Sequence, residues 1–96
     1  MLYVIAYDVR DGRRLRGVAK YCARFGVRVG LSVFETRFEN PDAFEAFSNR
    51  LNALIDPERD LIRIYRVCEN CIQKRRVLGK SRGETAVSGK GDAYVF

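Results

Sequence analysis

Residues 2–8, Leu2-Tyr3-Val4-Ile5-Ala6-Tyr7-Asp8, run apolar for six positions and end on a carboxylate. β-Branched and aromatic side chains dominate the run, which reads as a strand buried on both faces. It is too short to cross a membrane. Asp8 falls where such a strand leaves the core, and Arg10-Asp11-Gly12 then turns the chain into a helical pattern. The carboxyl end of a central strand, beside the loop that opens a helix, is a common place for a reactive group. With Arg10, Arg13, Arg14 and Arg16 around it, Asp8 suggests a metal ion or water held near a phosphodiester.

Downstream of Asp8, the spacing predicts a helix over Arg13–Phe25. Leu15, Val18, Ala19, Cys22 and Phe25 form its apolar stripe, and Arg13, Arg16, Lys20 and Arg24 lie on the opposite face. Asp11 or Gly12 is placed to cap its start, and Gly26 stands where a left-handed residue closes a helix. Arg28–Phe38 reads as strand, but the inward-facing parity changes near Val33–Phe34. That change calls for a bulge or for two short strands joined tightly. Asn40-Pro41-Asp42 is a helix start, with the apolar stripe Phe44, Phe47, Leu51, Leu54 and Ile55 behind it and Asp56-Pro57 as the stop.

Asp60–Val67 is a further strand. Cys68-Glu69-Asn70-Cys71 reads as the turn of a hairpin, and Ile72–Leu78 as its second strand, bearing Lys74, Arg75 and Arg76. Residues 1–78 therefore form the core domain. Residues 79–96 form a Gly/Ser-rich loop ending in Ala93-Tyr94-Val95-Phe96, an apolar strand suited to docking on a partner subunit. The order is that of an α+β, ferredoxin-like βαββαβ sandwich with an additional C-terminal strand. Two helices on one face of the sheet leave the other bare, so a homodimer burying sheet against sheet is expected.

The formal net charge of +6 on 96 residues is unevenly placed. Residues 10–28 carry seven bases against one acid, as do residues 61–83, whereas residues 35–60 carry three bases against seven acids. This pattern predicts one nucleic-acid-facing side that grips phosphates without reading sequence. Its candidates are Arg13, Arg14, Arg16, Lys20 and Arg24 with Lys74, Arg75 and Arg76. The chain has no histidine, which excludes histidine acid–base catalysis, histidine metal ligands and Ser–His or Cys–His nucleophiles. Met1 leads directly into the first strand, with neither a basic leader nor a cleavage site, so a cytoplasmic protein without membrane contact is expected. Cys68 and Cys71 offer half of a tetrahedral zinc site, which only a second copy would complete, or a redox-active pair. The residues themselves favour small hydrophobes packed in a hairpin. Tyr3, Tyr7, Tyr65 and Phe34 read as core or interface aromatics rather than as a base-stacking platform.

Three ordered pieces carry a resemblance: Tyr7-Asp8-Val9, then Arg13-Arg14-Leu15-Arg16-Gly17-Val18-Ala19-Lys20, then Gly26-Val27-Arg28-Val29 leading into Ser32-Val33-Phe34-Glu35. Together they resemble the second adaptation protein family of CRISPR systems, the small nuclease-like partner of the CRISPR integrase. The resemblance implies a ferredoxin-like homodimer whose C-terminal segment reaches across to the other subunit. It also implies binding of duplex DNA, or of RNA, together with integrase subunits during spacer acquisition. It further implies Mg2+-dependent endonuclease or endoribonuclease activity, with Asp8 as metal ligand paired across the dimer, and with Arg28 and Phe34 at functional positions. Gly30 stands where the family often has glutamine, and the bases of the first helix are not in full register. A non-catalytic nucleic-acid-binding adaptor and a free-standing, toxin-type ribonuclease are the alternatives.

Overall fold

The apolar run forms strand β1 (Leu2–Asp8), paired antiparallel on both sides. A computed structural model describes residues 1–79. After β1 come helix α1 (Gly12–Ala23), strands β2 (Gly26–Gly30) and β3 (Val33–Arg37), helix α2 (Pro41–Ala53), strand β4 (Leu61–Val67) and helix α3 (Glu69–Gln73). The strands make a sheet of order β2-β3-β1-β4 with every neighbouring pair antiparallel, the arrangement expected of a βαββαβ chain.

Alternation along β1 divides the molecule. Tyr3, Ile5 and Tyr7 point into a core shared with Val18 and Cys22 of α1, Phe47 and Leu51 of α2, and Phe34 of β3. Aromatic rings fill the end of this core nearest Met1: Tyr3 stacks on Phe44 with centroids 4.0 Å apart, and Phe47 meets Tyr21, Phe25 and Phe38. On the other parity Leu2 is buried at the Met1 end, but Val4 and Ala6 are only half-buried, because both long helices lie on the opposite side. Beyond Leu2, β1 is thus fully buried on one face in the single chain rather than on two.

The helix starts follow the sequence closely. Asp11 caps α1 by accepting from the Arg14 N–H at 3.0 Å, and Asn40 caps α2 by accepting from the Ala43 N–H at 2.8 Å, with Pro41 in the first turn. The parity change in residues 28–38 has both of its expected causes. Leu31 and Ser32 turn the chain between β2 and β3, and Val29 is the extra residue of a bulge, since Arg28 faces Phe34 while Gly30 faces Val33.

Three expectations change. Gly26 is not a left-handed helix terminator: among the described residues only Gly79 has a positive φ. Gly26 begins β2, and a Cβ there would sit 2.1 Å from the Glu35 carbonyl oxygen, so close approach of two backbones is what demands glycine. Residues 72–78 do not form a strand, and Cys68-Glu69-Asn70-Cys71 is not a hairpin turn. Cys68 caps α3, Ile72 is buried, and Arg75–Leu78 continue without regular structure. The local preference for a capped helical turn, with Glu69 at its start, outweighs the strand propensity of Ile72 and Val77. Cys68 and Cys71 are both exposed, so neither packs as a core hydrophobe, whereas Cys22 is buried. The expected strand Ala93–Phe96 lies outside the described residues.

The glycines give a paired prediction. Gly17 lies inside α1 with open space where a Cβ would be, so Gly17→Ala should stabilise the fold by about 0.5–1 kcal/mol. Gly26→Ala should instead cost about 2–4 kcal/mol. Urea unfolding of the two variants measures both, and equal midpoints would contradict the β2–β3 register.

Candidate functional site

Antiparallel pairing brings four segments to the end of the sheet where β1 stops. Asp8 faces Leu61 across the β1–β4 ladder, and Tyr7 donates its backbone N–H to the Ser32 carbonyl in the β2–β3 turn at 3.0 Å. Asp8 shares the parity of Val4 and Ala6, so its carboxylate belongs to the sheet face that carries neither long helix. Its side chain is 60% exposed and pairs with the Arg10 guanidinium at 3.3 Å.

Beneath this exposed pair lies a buried anchor. The Asp60 side chain is fully shielded from solvent and accepts four hydrogen bonds. Arg14 donates Nε to Oδ2 at 2.7 Å and Nη2 to Oδ1 at 3.2 Å, in a two-pronged ion pair. The Arg10 backbone N–H adds a bond to Oδ1 and the Asp56 N–H a bond to Oδ2, both at 2.9 Å. One carboxylate therefore ties the loop after β1, the first turn of α1 and the loop before β4 into one unit. The Arg14 bond, backed by the two N–H donors, holds the Asp60 carboxyl well below the usual carboxylate range.

Arg28 and Phe34 stand at the same end. Arg28 donates Nη2 to the Leu31 carbonyl at 2.6 Å and Nε to the Gly30 carbonyl at 3.3 Å, pinning the β2–β3 turn, and its guanidinium lies 6.0 Å from the Phe34 ring centroid. Phe34 is 2% exposed and stacked on Tyr7, so its place is in the core, supporting Arg28 from below. Burial pushes the Tyr7 phenol up, against the pull of the neighbouring Arg28 charge.

The basic residues separate into three groups. Arg13, Arg16, Lys20 and Arg24 are exposed on α1 and, among the described residues, take no part in an ion pair. Arg14 belongs instead to Asp60. Lys74 and Arg76 are exposed beyond α3, while Arg75 is half-buried and donates to the Ile72 carbonyl at 2.8 Å. Sequence reasoning did not single out Asp60, whose partner Arg14 is 46 residues away, or the exposed Arg63, which faces Ala6 from the edge strand. Alternation within β4 was the signal that placed Arg63 beside Asp8's face.

The donor set bears on metal binding. Among the described residues no group of three or more His, Cys, Asp or Glu side chains comes together. Asp60 spends both oxygens on protein donors, and Asp11 gives Oδ2 to the Arg14 N–H. Among the described residues Asp8 is the most exposed of these three carboxylates and offers hard oxygens of the kind Mg2+ takes, a donor that fits the ion but is fewer than a complete protein site. Among the described residues no helix is long and apolar enough to cross a membrane.

Comparison with known proteins agrees with this architecture. The model of the family described as CRISPR associated protein Cas2 matches residues 1–75. A Chloroflexus aurantiacus protein named CRISPR-associated endoribonuclease Cas2 1 is 43% identical over 81 residues, spanning 82% of this chain and 85% of its own length. A Halalkalibacterium halodurans protein named CRISPR-associated endonuclease Cas2 is 39% identical over 84 residues, spanning 82% and 86%. The crystal structure of Streptococcus pyogenes Cas2 at pH 6.5 superposes with a TM-score of 0.72 at 37% identity, over 82% of this chain and 100% of that one.

Asp60 carries a pH prediction. Its folded-state pKa is depressed, so its stabilising contribution is complete above the unfolded value near 4 and is lost as pH falls toward the lower folded value. Asp60→Asn should lower the thermal midpoint at pH 7 and flatten its fall on acidification, while Asp8→Asn should do neither. Parallel melting curves for wild type and Asp60→Asn between pH 7 and pH 3 would contradict the anchor.

Proposed function

The chain belongs to the CRISPR associated protein Cas2 family, and from that premise we propose that it is a Mg2+-dependent phosphodiesterase acting as a homodimer. The observation that carries this reading is the position of Asp8 on the face of the sheet that carries neither long helix, in register with apolar residues that want a cover. Leu61 and Tyr65 on that face are 48% and 53% exposed, and Val4, Ala6, Val27 and Val33 are half-buried. Two copies packed through this face would bury these apolar residues, with Glu35 and Arg63 set among them, and bring two Asp8 carboxylates toward the symmetry axis. Relatives bearing the names endoribonuclease and endonuclease support a nuclease.

In this reading each chain contributes one carboxylate to the shared ion, and Arg10 is the charge that competes with the ion when the site is free. Bound Mg2+ would supply charge neutralisation on the phosphodiester and acidify an attacking water. The protein's own part is positional. Asp60 fixes the loop that carries Asp8 and Arg10, and Arg28 fixes the turn that lies beside Tyr7. Arg10 and the remaining Arg28 donors would stabilise developing negative charge on the phosphoryl oxygens. The free cationic face of α1 would grip nucleic-acid phosphates, duplex DNA first, and so serve an adaptor role beside CRISPR integrase subunits during spacer acquisition.

Three experiments test the reading. Asp8→Ala should remove Mg2+-dependent cleavage of RNA and DNA while leaving the dimer and the thermal midpoint intact. Leu61→Glu should yield monomers by light scattering and remove cleavage with them. Full cleavage by Asp8→Ala, from protein freed of contaminating nuclease, would eliminate the catalytic assignment and leave the adaptor alone. Duplex affinity should fall steeply, by about tenfold or more, between 50 and 200 mM salt, and each of Arg13→Ala and Arg16→Ala should reduce the logarithmic salt slope by about one. A slope unchanged in both variants would assign the α1 face to solvent.

A further inference from the structure

Cys68 and Cys71 lie apart from the site described above. Val67, just before Cys68, pairs with Leu2, whereas Leu61 pairs with Asp8. The two cysteines therefore flank the opposite end of the sheet, about 20 Å from the carboxylate along β1. Both are exposed. The Cys71 backbone N–H donates to the Cys68 sulfur at 3.4 Å, so the two residues close one four-residue turn. Such a turn brings its end Cα atoms within about 7 Å, inside the span a disulfide bridges. The turn is held in shape from two sides, by Ile72 buried at 4% exposure and by the Arg37–Glu69 ion pair at 3.2 Å.

The two thiols are also unlike each other. The Cys71 N–H stabilises negative charge on the Cys68 sulfur and lowers that thiol, while the bond to Cys68 raises Cys71. Cys22, buried in the core and pushed up to about 11, is an internal reference for an unreactive thiol.

From this geometry we infer that Cys68 and Cys71 form a dithiol site that reacts with low-molecular-weight disulfides, with Cys68 as the attacking sulfur and Cys71 as the resolving one. The Cys68 thiolate attacks a disulfide RSSR, forming a Cys68–S–S–R bond and releasing one thiolate RS−. Cys71 gives up its proton and attacks the Cys68 sulfur, breaking the mixed disulfide, releasing the second RS− and closing the Cys68–Cys71 bond. The protein loses two electrons and two protons, and RSSR becomes two RSH. This chemistry does not rest on the nuclease reading, because no group at the Asp8 end takes part.

The test uses the full chain equilibrated with glutathione buffers of defined ratio, followed by acid quench, iodoacetamide labelling under denaturing conditions and intact mass. In an oxidising buffer two of the three cysteines should be lost to labelling without a gain in mass from glutathione, and the chain should run as a monomer on a non-reducing denaturing gel. Dithiothreitol should restore all three labels. Cys71→Ser should trap one glutathione on Cys68, and Cys68→Ser should trap it more slowly on Cys71. Full labelling after oxidation, disulfides that form only between chains, or equal trapping rates in the two variants would each overturn the assignment. Melting curves of both variants, expected to match wild type, separate thiol chemistry from unfolding.

Discussion

β1 is paired on both edges, and its two faces meet different surroundings. That constraint organises the chain. Tyr3, Ile5 and Tyr7 require a cover, and the amphipathic helices α1 and α2 supply it through Val18, Cys22, Phe47 and Leu51. Strict alternation then sends Val4, Ala6 and Asp8 to the other side, where neither long helix is available. The exposed carboxylate and the uncovered apolar residues thus follow from one property of one strand.

The carboxylate is exposed, but its surroundings are rigid. Asp60 makes the difference: with four donors converging on two oxygens, it locks the loop that follows Asp8 to the strand that flanks it. A buried charge is tolerated only with such complete pairing, because each unmet lone pair would add to the cost of desolvation. The division of labour among the acids follows. Asp60 spends both oxygens and Asp11 one on the fold, whereas Asp8, among the described residues, pairs with Arg10 and stays largely exposed. The bases divide in the same way, Arg14 and Arg28 toward structure, Arg13, Arg16 and Lys20 toward solvent, with Arg24 exposed over the Tyr21 and Phe25 rings.

Membership of the Cas2 family accounts for the fold and for a nuclease reading, but the family frame leaves the end of the sheet bearing α3 unexplained. There the chain builds a capped turn with two exposed sulfurs, remote from Asp8 along the same strand pair. The two ends are joined by the rigid sheet and share no side chain, so their chemistries are separable.

Local spacing was enough to locate the strand ending in Asp8, both long helices with their caps, the two-strand reading of residues 28–38 and the cationic face of α1. Each is encoded by residues within a turn or two of one another, through periodicity and through side chains that satisfy nearby N–H groups. The rest was decided by contacts between segments far apart in sequence. Arg14 looked like one base among several until β4 brought Asp60 against it, 46 residues on. Gly26 looked like a helix terminator until the Glu35 backbone arrived beside it, and the place of Phe34, buried against Tyr7 beneath Arg28, came only with the assembled sheet. Residues 68–78 read as a turn followed by a strand from Ile72 to Leu78, yet the Cys68 cap and the burial of Ile72 made residues 69–73 a helix. Pattern fixes which faces a segment presents; only the register of the assembled sheet decides which partner each face meets, and the free energy of that meeting assigns the residue its role.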